Sequence, residues 1–299
     1  MEEKKYPVYR NDIKYKKHRN IDVNRAVWDD NVKNDFMNKD TDSIDYRIEE
    51  CQREKYTMID LSNMDENCLE LLLKDKRINA FINTLEHIFV SNSCLNEVPD
   101  LSIFTKLKTL DISHNKITKI NELPSSLEEF IANDNKLTVI KNDLPNLKRM
   151  DVGNNNITYI NYGKNMESLN IHTNPIEYIT EMKYLYFLNI QNTKINNIPT
   201  YPRLKEFDCS YTNIEMIPKM PLLEILTCGH SDVKTIDEMP MLEFLEMINT
   251  NVKQINYMNK LKRLVMNKHE GMNISTKYKI QRIKKNKNDI IEILFLVNQ

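Results

Sequence analysis

Glycine and tryptophan are scarce in this chain of 299 residues, which contains only four glycines and one tryptophan. Four glycines do not supply the glycine-rich loop with which many nucleotide-binding enzymes cradle phosphate groups. Long apolar runs are also missing, because the longest one, residues 290–297, includes Glu292 and is far too short to cross a bilayer. The sequence therefore predicts neither a phosphate-loop enzyme nor a membrane span.

No charge of one sign dominates, since 42 Lys and Arg residues oppose 43 Asp and Glu residues. A chain without a basic excess is not expected to bind nucleic acid or an anionic membrane through its overall field. The five cysteines show neither a C-x-x-C spacing nor a cluster in either flank, so we expect no disulfide framework and no metal site. The N-terminus lacks the apolar core of a signal peptide, and we expect a cytoplasmic protein.

Catalytic motifs are equally hard to find among the six histidines. His114, His172 and His230 fall near the ends of short apolar segments, and no nucleophile or metal ligand stands at a diagnostic spacing from them. We therefore predict a protein that is not an enzyme, with no catalytic residues, no metal ligands and no cofactor.

What the chain does contain is a repeated block, which at residues 107–117 has the pattern L-x-x-L-x-L-x-x-N-x-L. Ten blocks follow one another at steps of 22, 20 and 20 residues and then of 19 residues. Such a fixed period is the sequence signature of a repeat architecture. The first apolar position of the blocks is occupied by Leu85, Leu107, Leu127, Leu147, Met166, Leu185, Leu204, Leu223, Leu242 and Leu261.

Each block predicts a short strand with one buried face, because its apolar fourth and sixth positions alternate with polar residues. One such strand cannot bury its own face, whereas parallel stacking of the copies buries a continuous core. The ninth position is Asn in the first half and Thr or Ser in the second, and we expect it to satisfy backbone groups of a buried turn. Prolines between the strands favour an extended or polyproline-like return path.

The pattern resembles leucine-rich-repeat proteins over about residues 85–270. The segment Ile198-Pro199-Thr-Tyr-Pro202-Arg-Leu204-Lys-Glu-Phe207 is most similar to the short repeats of bacterial effectors, and the abundance of Asn, Lys and Ile looks like that of uncharacterised repeat proteins of giant DNA viruses. The resemblance implies an α/β fold leaning to mostly β. The expected solenoid has parallel strands on a concave face, an extended or polyproline-like convex side and a helical N-terminal cap.

Four segments are expected along the chain. Residues 1–56 form a charged N-terminal flank, partly disordered, with a helix near residues 42–55, and residues 57–84 form an N-terminal cap. Residues 85–270 hold the array of about ten repeats, and residues 271–299 form a C-terminal cap or tail. Within that last segment, residues 277–287 carry six Lys or Arg residues and no acid, which favours a solvated basic turn.

Candidate binding residues lie at the third, fifth and seventh positions of the blocks, which point outward from the concave face. Two groups stand out there: an apolar cluster, which we predict to anchor a partner, and a stripe of acidic residues, some of which we predict to guide it. The predicted apolar anchors are Phe187, Ile225, Phe244 and Ile248. The stripe comprises Asp111, Glu129, Asp151, Glu206, Asp208 and Glu246, and the predicted guides are Asp151, Asp208 and Glu246.

The leading hypothesis is an interaction scaffold that binds a protein partner, whose identity the sequence does not give, across the concave face. An alternative is the substrate-recognition adaptor of a ubiquitin ligase, in which the repeats hold the substrate and residues 1–80 hold the ligase. Nucleic-acid binding by the basic flanks is a third hypothesis and is not expected. The setting would be the cytoplasm, or the host cytoplasm if the chain is viral.

Overall fold

A computed structural model describes residues 43–80, 82–141, 143–160, 164–267, 273–275, 280–285 and 290–295. The predicted flank before Ser43 lies outside these residues, and so does part of the predicted C-terminal segment. The chain divides into two units, residues 1–43 and 44–299, and nearly all of the described residues belong to the second.

Two helices and one strand precede the array. Helix α1 spans Ile44–Glu54, strand β1 spans Met58–Asp60, and helix α2 spans Cys68–Lys74 and is followed by a 3₁₀ helix at Lys76–Ala80. Ile48 and Cys51 are three residues apart in α1 and are both buried, as expected for one apolar face of an amphipathic helix.

Twenty further strands follow, and most have two or three residues. In chain order they are β2 (His87–Phe89), β3 (Glu97–Val98), β4 (Thr109–Asp111), β5 (Lys119–Ile120), β6 (Glu129–Ile131), β7 (Val139–Ile140), β8 (Arg149–Asp151), β9 (Tyr159–Ile160), β10 (Ser168–Asn170), β11 (Phe187–Asn189), β12 (Glu206–Asp208), β13 (Met216–Ile217), β14 (Ile225–Thr227), β15 (Thr235–Ile236), β16 (Phe244–Glu246), β17 (Gln254–Ile255), β18 (Arg263–Asn267), β19 (Asn273–Ile274), β20 (Ile280–Lys285) and β21 (Ile290–Phe295).

One long sheet carries the repeats, with strand order β1-β2-β4-β6-β8-β10-β11-β12-β14-β16-β18-β21-β20. The ten strands from β2 to β18 come one from each predicted block, and each is parallel to its neighbour. Equivalent positions are aligned, as in the pairing of Leu188 with Phe207 and of Phe207 with Leu226. Ten stacked strands make nine turns of a solenoid, so the predicted architecture of parallel strands is confirmed.

The core is a continuous column of side chains from the first, fourth and sixth positions of the blocks. Leu185, Leu188 and Ile190 have no solvent-exposed surface, and the equivalent residues of the other blocks are buried as well. Burial of a side chain of this size contributes about 1.5–3 kcal/mol. Every repeat adds one such layer and shares it with two neighbours.

In nine of the ten blocks, the turn after the strand contains a residue with left-handed backbone conformation at the eighth position. The φ angles lie between 51° and 57° at Asn92, His114, Asp134, Asn154, Thr173, Asn192, Tyr211, His230 and Asn249. Glycine adopts this conformation most readily, but none of these nine residues is glycine. A non-glycine residue in this region costs roughly 1–3 kcal/mol, so the surrounding turn must hold it in place.

The ninth residue of the block stabilises that turn, as predicted. The Asn155 side chain accepts a hydrogen bond from the Leu137 amide at 2.9 Å, and it donates to the carbonyls of Ala132 and Val152 at 3.0 Å and of Gly153 at 3.2 Å. Leu137 and Ala132 belong to the preceding repeat. The buried asparagine therefore joins two neighbouring repeats as well as closing its own turn.

Threonine and serine replace asparagine in the second half and make a smaller set of bonds. The Thr212 hydroxyl donates to the Cys209 carbonyl at 2.6 Å, and Thr193, Ser231 and Thr250 make the equivalent bond within their own repeats. A hydroxyl has one donor hydrogen where an amide has two. The ninth-position side chains, which we call the ninth-position ladder, therefore make more hydrogen bonds in the first half of the array than in the second.

The return side of the solenoid is extended, as predicted, and it adds pairings that were not predicted. Two-residue strands form parallel pairs there, β3 with β5, β7 with β9, β13 with β15, and β17 with β19. Tyr201 is fully buried beneath this side, and its hydroxyl donates to the Thr180 carbonyl at 3.2 Å.

The C-terminal end of the sheet differs from the parallel array. β21 pairs antiparallel with β18, and β20 pairs antiparallel with β21. Ile293 and Phe295 of β21 are buried against the last repeat. The segment 280–285, which composition favoured as part of a basic turn, is a strand, because β21 presents backbone partners that local composition does not reveal.

A comparison of Asn155→Ala with Thr212→Ala tests the ninth-position ladder. Asn155→Ala leaves a buried amide and carbonyls without partners, and we expect it to lower the free energy of unfolding by about 2–3 kcal/mol. Thr212→Ala removes one hydroxyl bond, and we expect a loss of about 1 kcal/mol. Urea unfolding monitored by circular dichroism measures both values, and equal losses would contradict the proposed difference between the two halves.

Candidate protein-interaction surface

The outward face of the long sheet consists of aligned columns of side chains. In the second half of the array the third-position column reads Phe187, Glu206, Ile225, Phe244 and Arg263, and the backbone register aligns these residues strand by strand. Adjacent strands lie about 4.8 Å apart, so the backbones of Phe187 and Phe244 are separated by about 14 Å.

Four predicted anchors form the apolar patch, which we define as Phe187, Ile225, Phe244 and Ile248. The structure places Ile225 and Phe244 directly side by side on β14 and β16. Ile248 follows in the same repeat as Phe244, and Phe187 lies two strands from Ile225, with Glu206 between them. All four residues are half-buried. Ile225 and Phe244 therefore form the centre of the patch, and Phe187 lies at its margin.

Arg263 borders the patch at its C-terminal side. Its guanidinium lies 5.1 Å from the centre of the Phe244 ring, a cation–π distance, and its Nε lies 2.6 Å from the Glu292 carboxylate of β21. The C-terminal strand pair thus holds the cation that covers one side of Phe244.

Three further large apolar side chains of the second half are exposed, and the third, fifth and seventh positions of the blocks do not include them. Tyr184, Tyr186 and Leu222 are 38%, 39% and 41% exposed. Tyr184 lies 5.2 Å from the Arg203 guanidinium, which approaches the face of its ring. Tyr186 occupies the second position of its block. Tyr184 and Leu222 each directly precede the first position of a block. Aligning those two columns as well would have revealed all three residues.

The fifth-position acids have a structural role that the sequence analysis did not predict. Asp208 is buried and accepts a hydrogen bond from the Ser210 amide at 3.0 Å. Asp151 likewise accepts from the Gly153 amide at 3.1 Å, and its second oxygen accepts from the Asn170 side chain at 3.0 Å. Such a bond to the amide two residues on is the Asx turn, which closes the strand end locally.

Glu246, the third predicted guide, is half-buried on β16, two residues after Phe244. Its Oε1 lies over Gly229 of the preceding repeat, only 3.3 Å from the position that a Cβ atom would take there. The missing side chain at Gly229 therefore makes room for this carboxylate beside the apolar patch.

In the first half of the array, one acid of the concave face, Glu129, is paired with a cation. Glu129 is buried and accepts from Thr109 at 3.3 Å and from Arg149 at 3.2 Å. The second-position column likewise alternates in sign along stretches of the sheet, with ion pairs at 2.7–3.0 Å. Those pairs are Lys108–Glu86, Lys148–Glu128, Lys205–Glu224 and Lys262–Glu243. Exposed pairs contribute about 0–1 kcal/mol each, and two of these four, Lys205–Glu224 and Lys262–Glu243, belong to the half that carries the patch.

Asp151 is an outward acid whose ionisation is affected by its surroundings. Burial raises the pKa of its carboxyl, although the hydrogen bonds from Gly153 and Asn170 and the nearby His172 oppose this shift. The His172 ring lies over Gly153, where a Cβ atom would come within 2.3 Å of its Nε2. The ionised form of the Asp151 carboxyl group is therefore less favourable in the folded chain than in water.

Three of the described histidines, His114, His172 and His230, lie in different repeats, after the strands β4, β10 and β14. His114 Nδ1 is 3.2 Å from Asp134, and the His230 ring stacks on Tyr211 with 4.5 Å between centroids. Among the described residues no group of three or more His, Cys, Asp or Glu side chains could hold a metal ion. The described helices are also all too short or too polar to cross a membrane.

Parallel strands in register, a buried Asn and Thr ladder, and an extended return path together define a leucine-rich-repeat solenoid of the short-repeat kind. A family model described as Leucine Rich Repeat matches residues 106–130.

Comparison with known proteins agrees with this class. Over 81 residues the chain is 36% identical to the protein phosphatase 1 regulatory inhibitor subunit PPP1R7 homolog of Arabidopsis thaliana, and this match covers 25% of each chain. YopM from Yersinia enterocolitica superposes with a TM-score of 0.57 at 23% identity, covering 60% of this chain and 41% of that one. YopM from Yersinia pestis gives 0.52 at 23% identity, covering 62% and 61%. The chain thus spans a quarter of the plant relative and about two fifths of the first YopM structure.

These structural neighbours confirm the resemblance to bacterial-effector repeats at the level of the fold. The resemblance to proteins of giant DNA viruses has no support among the comparisons. The solenoid itself is of a kind that typically serves recognition.

Asp151→Asn tests the cost of the buried carboxylate. Because the pKa of Asp151 is raised in the folded chain, the ionised group destabilises the fold at neutral pH, and this cost disappears as the pH falls below the ordinary Asp value of 3.8. We expect the variant to melt at a higher temperature than the parent at neutral pH and to lose that advantage towards pH 4. An advantage that is the same at every pH would contradict this account.

Proposed function

We propose that this protein is a non-enzymatic interaction scaffold that binds a protein partner through the concave face of its second half. The observation that carries the proposal is the apolar patch, in which Ile225 and Phe244 lie side by side on a face whose other outward positions are mainly polar. Aromatic residues at the centre of a polar-rimmed surface are the usual hot spots of protein interfaces.

The size and rim of this surface also support a protein partner. A standard interface buries roughly 1,600 Å² in total, and the outward face of an array of ten strands can supply such an area. The ion pair Lys205–Glu224 joins the residues that directly precede β12 and β14, and Lys262–Glu243 joins those that directly precede β18 and β16. Pairs of this kind suit a rim, because they keep their charges satisfied while water is excluded from the centre.

The proposed guides are Asp151, Asp208 and Glu246, which would favour a partner with basic groups around an apolar centre. Glu246 is closest to the patch and is the guide that a partner can contact directly. Asp208 is only 6% exposed, so in this proposal it acts through its field rather than by direct contact. Asp151 lies outside the patch, and its influence is limited to a partner that extends towards the first half.

The plant relative is named as a regulatory inhibitor subunit of protein phosphatase 1, so its own name describes a protein that acts on another protein. We take from this only the class of activity, because the match spans a quarter of that relative. We place the scaffold in the cytoplasm, since all five cysteines are free and such thiols persist in a reducing compartment.

Affinity capture with mass spectrometry tests the proposal with two matched variants. Phe187→Ser, Ile225→Ser and Phe244→Ser together remove three anchors of the apolar patch. Val139→Ser, Tyr159→Ser and Tyr178→Ser remove three exposed side chains from the return side, where their exposures are 38%, 47% and 55%. We expect the first variant to lose the captured partner by about tenfold or more, because hot-spot losses of 1.4 kcal/mol each reach this factor, and the second to retain it.

Circular dichroism must show that both variants remain folded. A partner that survives the concave changes and disappears with the return-side changes would overturn the proposal. A third variant, which lacks residues 1–42, distinguishes the scaffold from the ubiquitin-ligase adaptor. If this variant loses the partner, the N-terminal flank is the part that recognises it. The deletion stops before Ser43 so that α1 keeps its contacts with β1.

A further inference from the structure

The two ends of the long sheet are closed in different ways. At the first strand, Thr57 O accepts from His87 N and Leu61 N donates to Phe89 O, so the alternate residues Met58 and Asp60 turn their backbone groups away from β2. Helix α1 covers that side. The Cys51 thiol donates to the Met58 carbonyl at 3.7 Å, and the Arg47 guanidinium donates to the Asp60 carbonyl. The edge is thus occupied by the chain itself.

At the other end, β20 is the last strand of the sheet among the described residues. The Phe295 amide of β21 donates to the Lys262 carbonyl, so Leu294 and Glu292 turn their backbone groups towards β20. Arg282 and Lys284 are aligned with those two residues. By alternation, the N–H and C=O groups of Ile283 and Lys285 therefore point to the outer edge.

This outer edge has the length and the side chains of a strand-addition site. β20 has six residues, twice the length of most repeat strands. Ile280 and Ile283 are each 50% exposed, so apolar surface is available beside the outward backbone groups. An extended peptide that adds a strand to such an edge gains main-chain hydrogen bonds, and its alternate side chains contact the neighbouring strand.

The charge of β20 determines which kind of strand can be added to its outer edge. The six residues of β20 include Arg282, Lys284 and Lys285 and no acid. Two copies of β20 placed edge to edge would oppose like charges, which destabilises cross-strand pairs. Lysine on an edge is a known protection against self-association, and the same cations attract a strand of opposite sign.

We infer that the outer edge of β20 is a second binding site, separate from the concave face, which takes an extended acidic segment of another protein as an added β-strand. The fitting segment alternates Glu or Asp with β-branched residues. Its backbone pairs with Ile283 and Lys285, and its negative charge complements the positive charge that the sequence gives β20.

Fluorescence anisotropy with labelled synthetic peptides on the full chain tests this inference. The probes are two blocked peptides of about eight residues, the usual length range of a strand, one alternating Glu with Val and the other Lys with Val. We expect the Glu peptide to bind at least about tenfold more tightly, with an affinity that falls as salt is raised. Amide hydrogen exchange of residues 280–285 should slow when the Glu peptide binds.

Two variants and one control sharpen the test. Ile283→Pro removes an outward amide while leaving the inner bonds of Arg282 and Lys284, and proline is tolerated at edges, so we expect peptide binding to be lost with little change in melting temperature. Lys284→Glu with Lys285→Glu should abolish the preference for the Glu peptide. Lys116→Glu with Lys119→Glu makes the same net change at exposed sites in the first half and should leave binding unchanged.

Three outcomes would overturn the inference. They are equal binding of the two peptides, Glu-peptide binding that survives Ile283→Pro, and a concentration-dependent dimer of the parent chain that Ile283→Pro abolishes, which would assign the edge to a second copy. The triple serine variant of the concave patch should still bind the Glu peptide, so this inference and the proposed function can fail independently.

Discussion

The buried turn that follows each strand is the constraint on which the rest of the structure depends. A chain that reverses every 19 or 20 residues must bury polar backbone at each reversal, and that backbone is costly unless it is hydrogen-bonded. Here the eighth residue takes a left-handed conformation and the ninth residue supplies the bonds, as Asn155 does with two repeats at once. Because the core and the ninth-position bonds use inward positions, most outward positions are not needed to hold the fold together.

Much of the architecture could be predicted from the sequence, because the repeat period, the alternation of Leu188 and Ile190, and the ninth-position Asn each follow from local chemistry. The prediction failed where partners distant in sequence decide the structure. The segment 280–285 is a strand because β21 lies beside it, and the local sequence pattern does not predict that pairing. The return-side ladders, such as β7 with β9, likewise depend on register between repeats.

Only part of the candidate surface could be predicted from the sequence in the same way. Phe187, Ile225, Phe244 and Ile248 could be placed on one face from their block positions, and the backbone register agrees with that placement. Which acids are open to a partner could not be read from position alone. Asp208 stands in an outward column, yet it turns to cap the Ser210 amide, because a short carboxylate reaches its own backbone more easily than solvent.

The change of ninth residue from Asn to Thr or Ser has a mechanical consequence. Asparagine fastens each repeat to the one before it, whereas the Thr212 hydroxyl closes only its own turn. In a solenoid whose stability is a sum of nearest-neighbour terms, the repeats of the second half are then joined by fewer side-chain hydrogen bonds than those of the first. The apolar patch lies on that second half, where we expect neighbouring repeats to shift against one another more easily than in the first half.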